Sequence, residues 1–182
     1  MDRQNETKEL IASSFKYLVC NKPIDKISIT DIMNQANFRR QTFYDYFDDK
    51  YDLVTWIFLY EITELTRSSF HWENWEQVLF LLLNYLEKNK KYYKKLFLNV
   101  KLDSFKDYFT YTIKQGFQHL ADEYFEQNNQ IIEQVEMTEV TINFYAYGLS
   151  QLLHEWVLGG CLPPSDAYHK LLTQVIHNSS HF

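Results

Sequence analysis

Helix-breaking residues are scarce in this chain, and that scarcity constrains its fold more than any other feature. Only 4 glycines and 3 prolines occur among 182 residues. Glycine and proline are the residues that most often interrupt a helix, so long helices can form between them. Apolar residues recur at helical spacing, and no segment shows the alternation of a strand. The sequence therefore predicts an all-α fold of about nine helices.

The predicted helices follow one another with short connections. The first spans about 6–20, and Pro23 keeps it from continuing. The second begins at Ser28, the third spans about 40–46, and the fourth begins at Asp49. Five further helices are expected at about 72–88, 90–98, 104–126, 130–158 and 164–178.

The tetrapeptide Ser28-Ile29-Thr30-Asp31 has the form of a capping box. In this motif the serine side chain accepts a hydrogen bond from the backbone N–H three residues on, and the acidic side chain returns one. The pattern predicts a well-defined start for the second helix.

Residues 28–47 have the pattern of a helix-turn-helix unit. The first helix has one apolar face, formed by Ile29, Ile32, Met33 and Ala36. A tight turn follows at 37–38, where asparagine tolerates the left-handed backbone conformation. The next helix buries Phe43 and is otherwise polar. Such a unit places its second helix in the major groove of double-stranded DNA.

These residues resemble a known family. The segment 29–36, the run Thr42-Phe43-Tyr44-Asp45-Tyr46-Phe47, and Lys50 and Leu53 after it are similar to the TetR family of bacterial regulators. The resemblance implies an N-terminal helix-turn-helix DNA-binding domain, here 1–50, and a helical dimerisation and effector- or partner-binding domain, here 51–182. Three positions depart from the family pattern and leave the base preference open: Asn37, Arg39 and Gln41.

The expected DNA contacts lie in and around the third helix. The resemblance implies phosphate or base contacts for the recognition helix and a phosphate contact for Lys50. Arginine pairs bidentately with guanine and glutamine with adenine, so Arg40 or Gln41 is the better candidate for base reading. The alternative is that the arginines are solvated charges and the tyrosines half-buried surface. The predicted DNA-contacting residues are Ser28, Arg39, Arg40, Gln41, Thr42, Tyr44, Tyr46 and Lys50.

Net charge gives this prediction little support. The chain carries a formal charge of −6, and its first 53 residues hold 8 Lys/Arg against 9 Asp/Glu. A protein that coats nucleic acid through bulk charge would be basic. The DNA-binding prediction therefore depends on motif geometry.

The last two long helices carry apolar stripes that fit the homodimer implied by the resemblance. Two such helices from each subunit would form a four-helix bundle. The alternative is that both stripes pack only within one subunit. The predicted interface residues are Leu149, Leu152, Leu153, Trp156, Tyr168, Leu171, Leu172 and Val175.

The C-terminal region is rich in aromatic residues, since the chain has 14 Tyr, 14 Phe and 4 Trp. Two interpretations are open: these side chains line an effector cavity, or they form the hydrophobic core. The sequence does not define which residues would bind a ligand. Gly116, His119 and His154 are candidate small or polar positions among them.

The run 147–161 resembles a TetR subgroup that includes activators of dihydroxyacetone kinase operons, which work with a kinase-like co-activator protein. The resemblance would make this domain a protein-docking surface rather than a ligand pocket. Two other functions stay open: a ligand-responsive repressor, and a helical adaptor protein that binds no operator.

Motifs of catalysis and metal binding are missing from the sequence. His154-Glu155 begins like a zinc-protease His-Glu-x-x-His, but Leu158 occupies the second histidine position. Cys20 and Cys161 are far apart and are expected as free thiols. No apolar run reaches the roughly 18 residues that span a bilayer. We therefore expect a cytoplasmic, non-enzymatic protein with no cofactor, metal or membrane partner.

Overall fold

The computed structural model describes residues 3–66, 70–99, 103–127 and 135–179. In these ranges nine α-helices and two 3-10 turns form the chain, without a strand, and the predicted all-α fold is confirmed. The α-helices are α1 (Arg3–Asn21), α2 (Ile29–Gln35), α3 (Arg40–Phe43), α4 (Lys50–Thr66), α5 (Trp75–Lys88), α6 (Lys90–Phe97), α7 (Asp103–Gln127), α8 (Val135–Leu158) and α9 (Ser165–Ser179).

Three helix boundaries lie three residues from the sequence-based expectation. α1 begins at Arg3, and the other two differences have a local reason. The segment Trp72–Asn74 is a 3-10 turn, so α5 begins later than predicted. After α3 the backbone tightens, because Tyr44 N–H donates to the Gln41 carbonyl and Tyr46 N–H to the Phe43 carbonyl. Bonds of this shorter span are common at helix ends. The predicted start of the eighth helix at 130 lies outside the described residues.

Aromatic rings fill the core between α4, α6 and α7. Phe58 lies at the centre, with its ring 6.2 Å from Tyr93, 5.8 Å from Phe105 and 5.2 Å from Phe109. The contacts with Tyr93 and Phe105 are edge-to-face, an arrangement that aromatic quadrupoles favour, and the contact with Phe109 is tilted. These rings therefore serve as ordinary core.

Polar contacts join the helix-turn-helix region to the rest of the chain. Lys16 of α1 forms an ion pair of 2.7 Å with Glu61 of α4, and Tyr85 of α5 donates a hydrogen bond to the same carboxylate. The Lys95 ammonium of α6 donates to the Val19 carbonyl at 2.7 Å near the end of α1. α1 is thus tied directly to α4 and α6, across the predicted boundary near residue 50, and α5 supports the α4 carboxylate.

A sharp reversal connects α8 to α9. Gly160 has a φ of +85°, Gly160 N–H donates to the Val157 carbonyl, and Cys161 N–H donates to the Trp156 carbonyl. This is the Schellman pattern, in which a glycine takes the left-handed conformation just past the end of the helix. Ser165 then anchors the start of α9 to α5, where its backbone N–H donates to the Glu87 carboxylate at 3.1 Å.

None of the helices in the described ranges is both long enough and apolar enough to cross a membrane. The same residues contain no group of three or more histidine, cysteine, aspartate or glutamate side chains that is placed to hold a metal ion.

Candidate DNA-binding surface

The predicted capping box at the start of α2 is present. Ser28 Oγ accepts a hydrogen bond from Asp31 N–H at 3.1 Å, and Ser28 N–H donates to Asp31 Oδ2 at 2.8 Å. The Lys22 ammonium lies 3.2 Å from the same carboxylate. The Ser28 hydrogen bonds, aided by Lys22, lower the pKa of Asp31 to about 2. Ser28, a predicted DNA contact, therefore has a structural role in positioning the helix before the turn.

The lowered pKa of Asp31 predicts an acid-sensitive cap. The carboxylate stabilises the fold fully above its ordinary pKa of 3.8, and this contribution is lost as the pH falls through about 2. Asp31→Asn is expected to lower the Tm at neutral pH, and the difference from wild type should shrink as the pH falls through this window. Circular-dichroism melts across the range measure it, with the exposed Asp48→Asn as the surface control. A difference that is independent of pH would contradict the capping role.

The turn between α2 and α3 adopts the conformation expected from its sequence. Asn37 has a φ of +59°, in the left-handed region that asparagine tolerates better than most residues. Phe38 N–H donates to the Met33 carbonyl at 2.9 Å, which closes the turn. Asparagine therefore occupies the position usual for glycine without altering the turn.

The third helix is held by one buried ring. Phe43 is fully buried and lies 5.6 Å from Phe47 and 5.7 Å from Tyr44, measured between ring centroids. The preceding residue, Arg39, caps the helix through backbone geometry alone, since its side chain makes no capping hydrogen bond.

Four of the predicted DNA contacts lie together on the exposed side of α3. They surround a shallow depression of about 390 Å³ and are Arg39, Arg40, Gln41 and Tyr44. Arg40 donates to the Tyr44 hydroxyl at 3.1 Å, and its guanidinium lies 5.8 Å from the centre of the same ring. The tyrosine thus holds the guanidinium on the exposed side of α3.

Thr42 and Tyr46 are placed differently from this group. Both side chains are half-buried, and Tyr46 packs against the hydrophobic core. The half-buried alternative for the tyrosines therefore describes Tyr46 but not Tyr44, which is exposed.

Lys50 has a contact that the sequence did not reveal. Its ammonium donates to the Ile24 carbonyl at 2.9 Å and to the Ile27 carbonyl at 3.1 Å, and so ties the start of α4 to the 3-10 turn Ile24–Lys26. No local pattern signals which carbonyls, more than twenty residues away, a lysine will reach. The predicted phosphate contact stays a prediction, and the same ammonium now has a structural role beside it.

Substitution of Lys50 is expected to separate these two roles. Lys50→Ala should lower the Tm, because the Ile24 and Ile27 carbonyls each lose the hydrogen bond from the ammonium. If the ammonium also contacts a phosphate, the slope of log affinity against log salt should fall by about one. Fluorescence anisotropy at several salt concentrations measures the slope, with Lys91→Ala on the exposed side of α6 as control. Lower affinity with an unchanged slope would assign Lys50 to the fold alone.

The structure divides the predicted interface residues of α8 and α9 into two groups. Leu153, Trp156 and Leu172 are buried in the core of the chain itself, and their side chains are therefore unavailable to a second copy. Leu149 and Tyr168 are half-buried against the same core. The remaining predicted residues are exposed: Leu152, Leu171 and Val175.

A further apolar stripe on α8 was missed by the sequence reasoning. Val140, Phe144 and Tyr147 follow one another at helical spacing and are exposed, Phe144 by 74 %. The spacing of four and three residues was visible in the sequence. Because α8 is apolar on several sides, however, the pattern did not indicate which side faces out.

Comparison with known proteins identifies the family. Residues 73–178 match the TetR C-terminal family described as "Transcriptional regulator C-terminal region". The chain belongs to the TetR family of transcriptional regulators. Its resemblance in residues 29–53 and this match in the C-terminal region agree, so the regulator function expected from the sequence is confirmed.

Two similar proteins are named as activators of dihydroxyacetone kinase operons, the subgroup that the run 147–161 resembles. The "HTH-type dhaKLM operon transcriptional activator DhaS" of Lactococcus lactis subsp. lactis (strain IL1403) is 40 % identical over 92 residues, which are 50 % of this chain and 49 % of that protein. The alignment thus spans about half of the curated relative. A solved structure, "Dihydroxyacetone kinase operon activator DhaS", superposes with a TM-score of 0.74 at 28 % identity, over 94 % of this chain and 92 % of that one.

Proposed function

We propose that this TetR-family regulator is a homodimeric activator that binds a palindromic operator through α3. The observation that carries the proposal is the exposed group around Arg40 and Tyr44, presented by a helix that Phe43 anchors in the core. Arg40 and Gln41 supply the side chains that pair bidentately with guanine and adenine. This makes them the candidates for base reading, with Arg39 as the neighbouring phosphate contact.

The exposed apolar side chains of α8 and α9 support a dimer. On α8 they form the stripe Val140, Phe144 and Tyr147, and on α9 Leu171 and Val175 follow at the same helical spacing. A two-fold arrangement of these helices would bury both stripes in a four-helix bundle. It would also present two copies of α3, and half-sites about 34 Å apart require a protein with two-fold symmetry.

The target operon is proposed from the relatives. Both are named as activators of dihydroxyacetone kinase operons. The aromatic core between α4, α6 and α7 is closely packed, which fits an activator that receives its signal from a kinase-like co-activator protein better than a repressor with a large cavity.

The direct test is a gel shift on the promoters that flank the protein's own gene, with and without the neighbouring gene products. We expect a retarded complex that competitor DNA of unrelated sequence does not remove. Transcription in vitro from the same promoter should be stronger when the co-activator is present. If none of the flanking promoters forms a specific complex, the alternative of a helical adaptor protein that binds no operator is favoured.

A charge in the exposed apolar stripe is expected to break the dimer. Val175 is 64 % exposed on α9, and Val175→Glu would leave an unpaired carboxylate inside the proposed bundle. Sedimentation velocity at micromolar concentration should show a dimer for wild type and a monomer for the variant, with weaker operator binding. Leu162→Glu is the matched control, since Leu162 is 72 % exposed but lies in the turn after α8. A monomeric wild type would refute the bundle.

A further inference from the structure

A groove of about 880 Å³ runs between α1 and α4, where the helix-turn-helix region meets the helices that follow residue 50. Its apolar and aromatic lining includes Leu10, Trp56 and Ile57, and Trp56 stacks on Tyr60 with 4.7 Å between ring centroids. The Lys8 ammonium lies 5.6 Å from the centre of the Trp56 ring, outside the lining. The groove is thus separate from the aromatic core between α4, α6 and α7.

Carboxylates give this groove a negative charge. Glu6, Glu9 and Glu61 line it together with the Lys16 ammonium. Lys16 pairs with Glu61 at 2.7 Å, so the charges of these two side chains balance, and those of Glu6 and Glu9 remain. Glu9 accepts a hydrogen bond from the Tyr60 hydroxyl, which does not alter its charge. The groove therefore repels the phosphates of DNA and attracts a cationic partner.

An exposed row on α1 extends the groove along the surface. At about 100° per residue, Glu6, Leu10, Ser13 and Tyr17 fall within roughly 60° of one another around the helix axis, over a length of about 16 Å. Leu10 is 52 % exposed and Tyr17 is 59 % exposed. Exposed apolar side chains with polar neighbours are typical of protein interaction sites. The row is longer than a small molecule needs and suits a segment of another protein.

We propose that this groove and the exposed row beside it are the docking surface for a basic amphipathic segment of the co-activator protein. The cationic side chains of the segment pair with Glu6 and Glu9, and its apolar side chains cover Leu10 and Tyr17. A segment of about three helical turns matches the length of the row. The inference rests on the proposed function, which supplies the partner, and adds the surface and the chemistry of the contact.

A partner at this surface contacts the DNA-binding helices from the side away from their DNA-reading residues. α1 packs against α2, and α2 packs against α3, while α4 forms the other wall of the groove. A bound segment would therefore hold α1 and α4 in one relative position. The co-activator could then act on operator binding without touching the operator.

The test is a calorimetric titration of the full-length protein with the purified kinase-like product of the neighbouring gene. Wild type should bind with an affinity that falls as salt is raised, because charges on the surface are screened. Glu6→Lys should weaken binding at least ten-fold, since it places like charges opposite one another, and Leu10→Ser should weaken it less. Glu126→Lys makes the same change of charge at an exposed position of α7 outside the groove and should bind like wild type.

Site-specific crosslinking locates the contact independently of affinity. Benzoylphenylalanine in place of Tyr17 should crosslink to the co-activator. The same group in place of Tyr111, which is 56 % exposed on α7, should not. A crosslink from position 17 to a second copy of this chain would assign the surface to self-association and overturn the proposal.

The outcomes separate this proposal from the proposed function. Equal affinity of wild type and Glu6→Lys for the co-activator overturns the docking surface and leaves the proposed function standing. A wild type that does not bind the co-activator overturns the docking surface and the co-activator part of the proposed function together. Operator binding of each sample without the co-activator shows that the variant is folded and whether the DNA-binding proposal holds.

Discussion

Arg40→Ala is expected to reduce operator affinity about ten-fold to a hundred-fold, the cost of losing one good bidentate base contact. Arg40 is exposed beside Tyr44 on α3, and its guanidinium contacts the hydroxyl and ring of that tyrosine. The substitution removes no buried atoms, so the Tm should hardly change. Fluorescence anisotropy with labelled operator, at one fixed salt concentration, measures the affinity.

Two further variants test the chemistry of this contact. Arg40→Lys keeps the charge but cannot pair bidentately, so a base contact predicts a loss close to that of alanine, and a phosphate contact predicts near-normal binding. Tyr44→Phe removes the hydroxyl that orients the guanidinium and should cause a smaller loss. Unchanged affinity in Arg40→Ala would remove Arg40 from the interface and leave Gln41 as the candidate base reader.

Phe58→Ala is expected to destabilise the protein by about 3–5 kcal/mol. The ring is 1 % exposed and contacts the rings of Tyr93, Phe105 and Phe109, so its loss would leave a cavity where α4, α6 and α7 meet. A typical domain is stable by about 5–15 kcal/mol, so the variant should be close to unfolding at physiological temperature. Urea denaturation followed by circular dichroism measures the change.

Tyr17→Ala is the matched control for this experiment. Tyr17 is an aromatic residue of a long helix but is largely exposed, and the change should stay within about 0.5 kcal/mol. If Phe58→Ala also cost less than about 1 kcal/mol, the aromatic rings would not form a closely packed core. An internal cavity, and with it a ligand-responsive repressor, would then become the better proposal.

Local interactions explain what could be predicted at the DNA-binding end. The capping box joins Ser28 to a residue three positions away, the left-handed turn needs only the tolerance of Asn37, and the burial of Phe43 follows from one apolar position in a short polar helix. Each of these features depends on neighbours within a few residues. These three features could therefore be predicted from the sequence without knowledge of the rest of the fold.

Lys50 and α8 show where local patterns stop being informative. The ammonium of Lys50 reaches carbonyls at Ile24 and Ile27, which only the folded chain brings near it. On α8 the apolar residues surround the helix, so periodicity could not separate buried Trp156 from exposed Phe144. The structure shows which side of α8 is buried, because that side is the one that packs against α6 and α7.

The sequence by itself determined that this protein is helical, where the helices run, and that a helix-turn-helix of the TetR type begins at Ser28, because spacing, capping and turn chemistry act over short distances. Only the tertiary structure decided which lysine contacts are structural and which apolar residues of α8 and α9 remain exposed. These properties arise from packing between helices that are distant in the chain, and no local pattern encodes them.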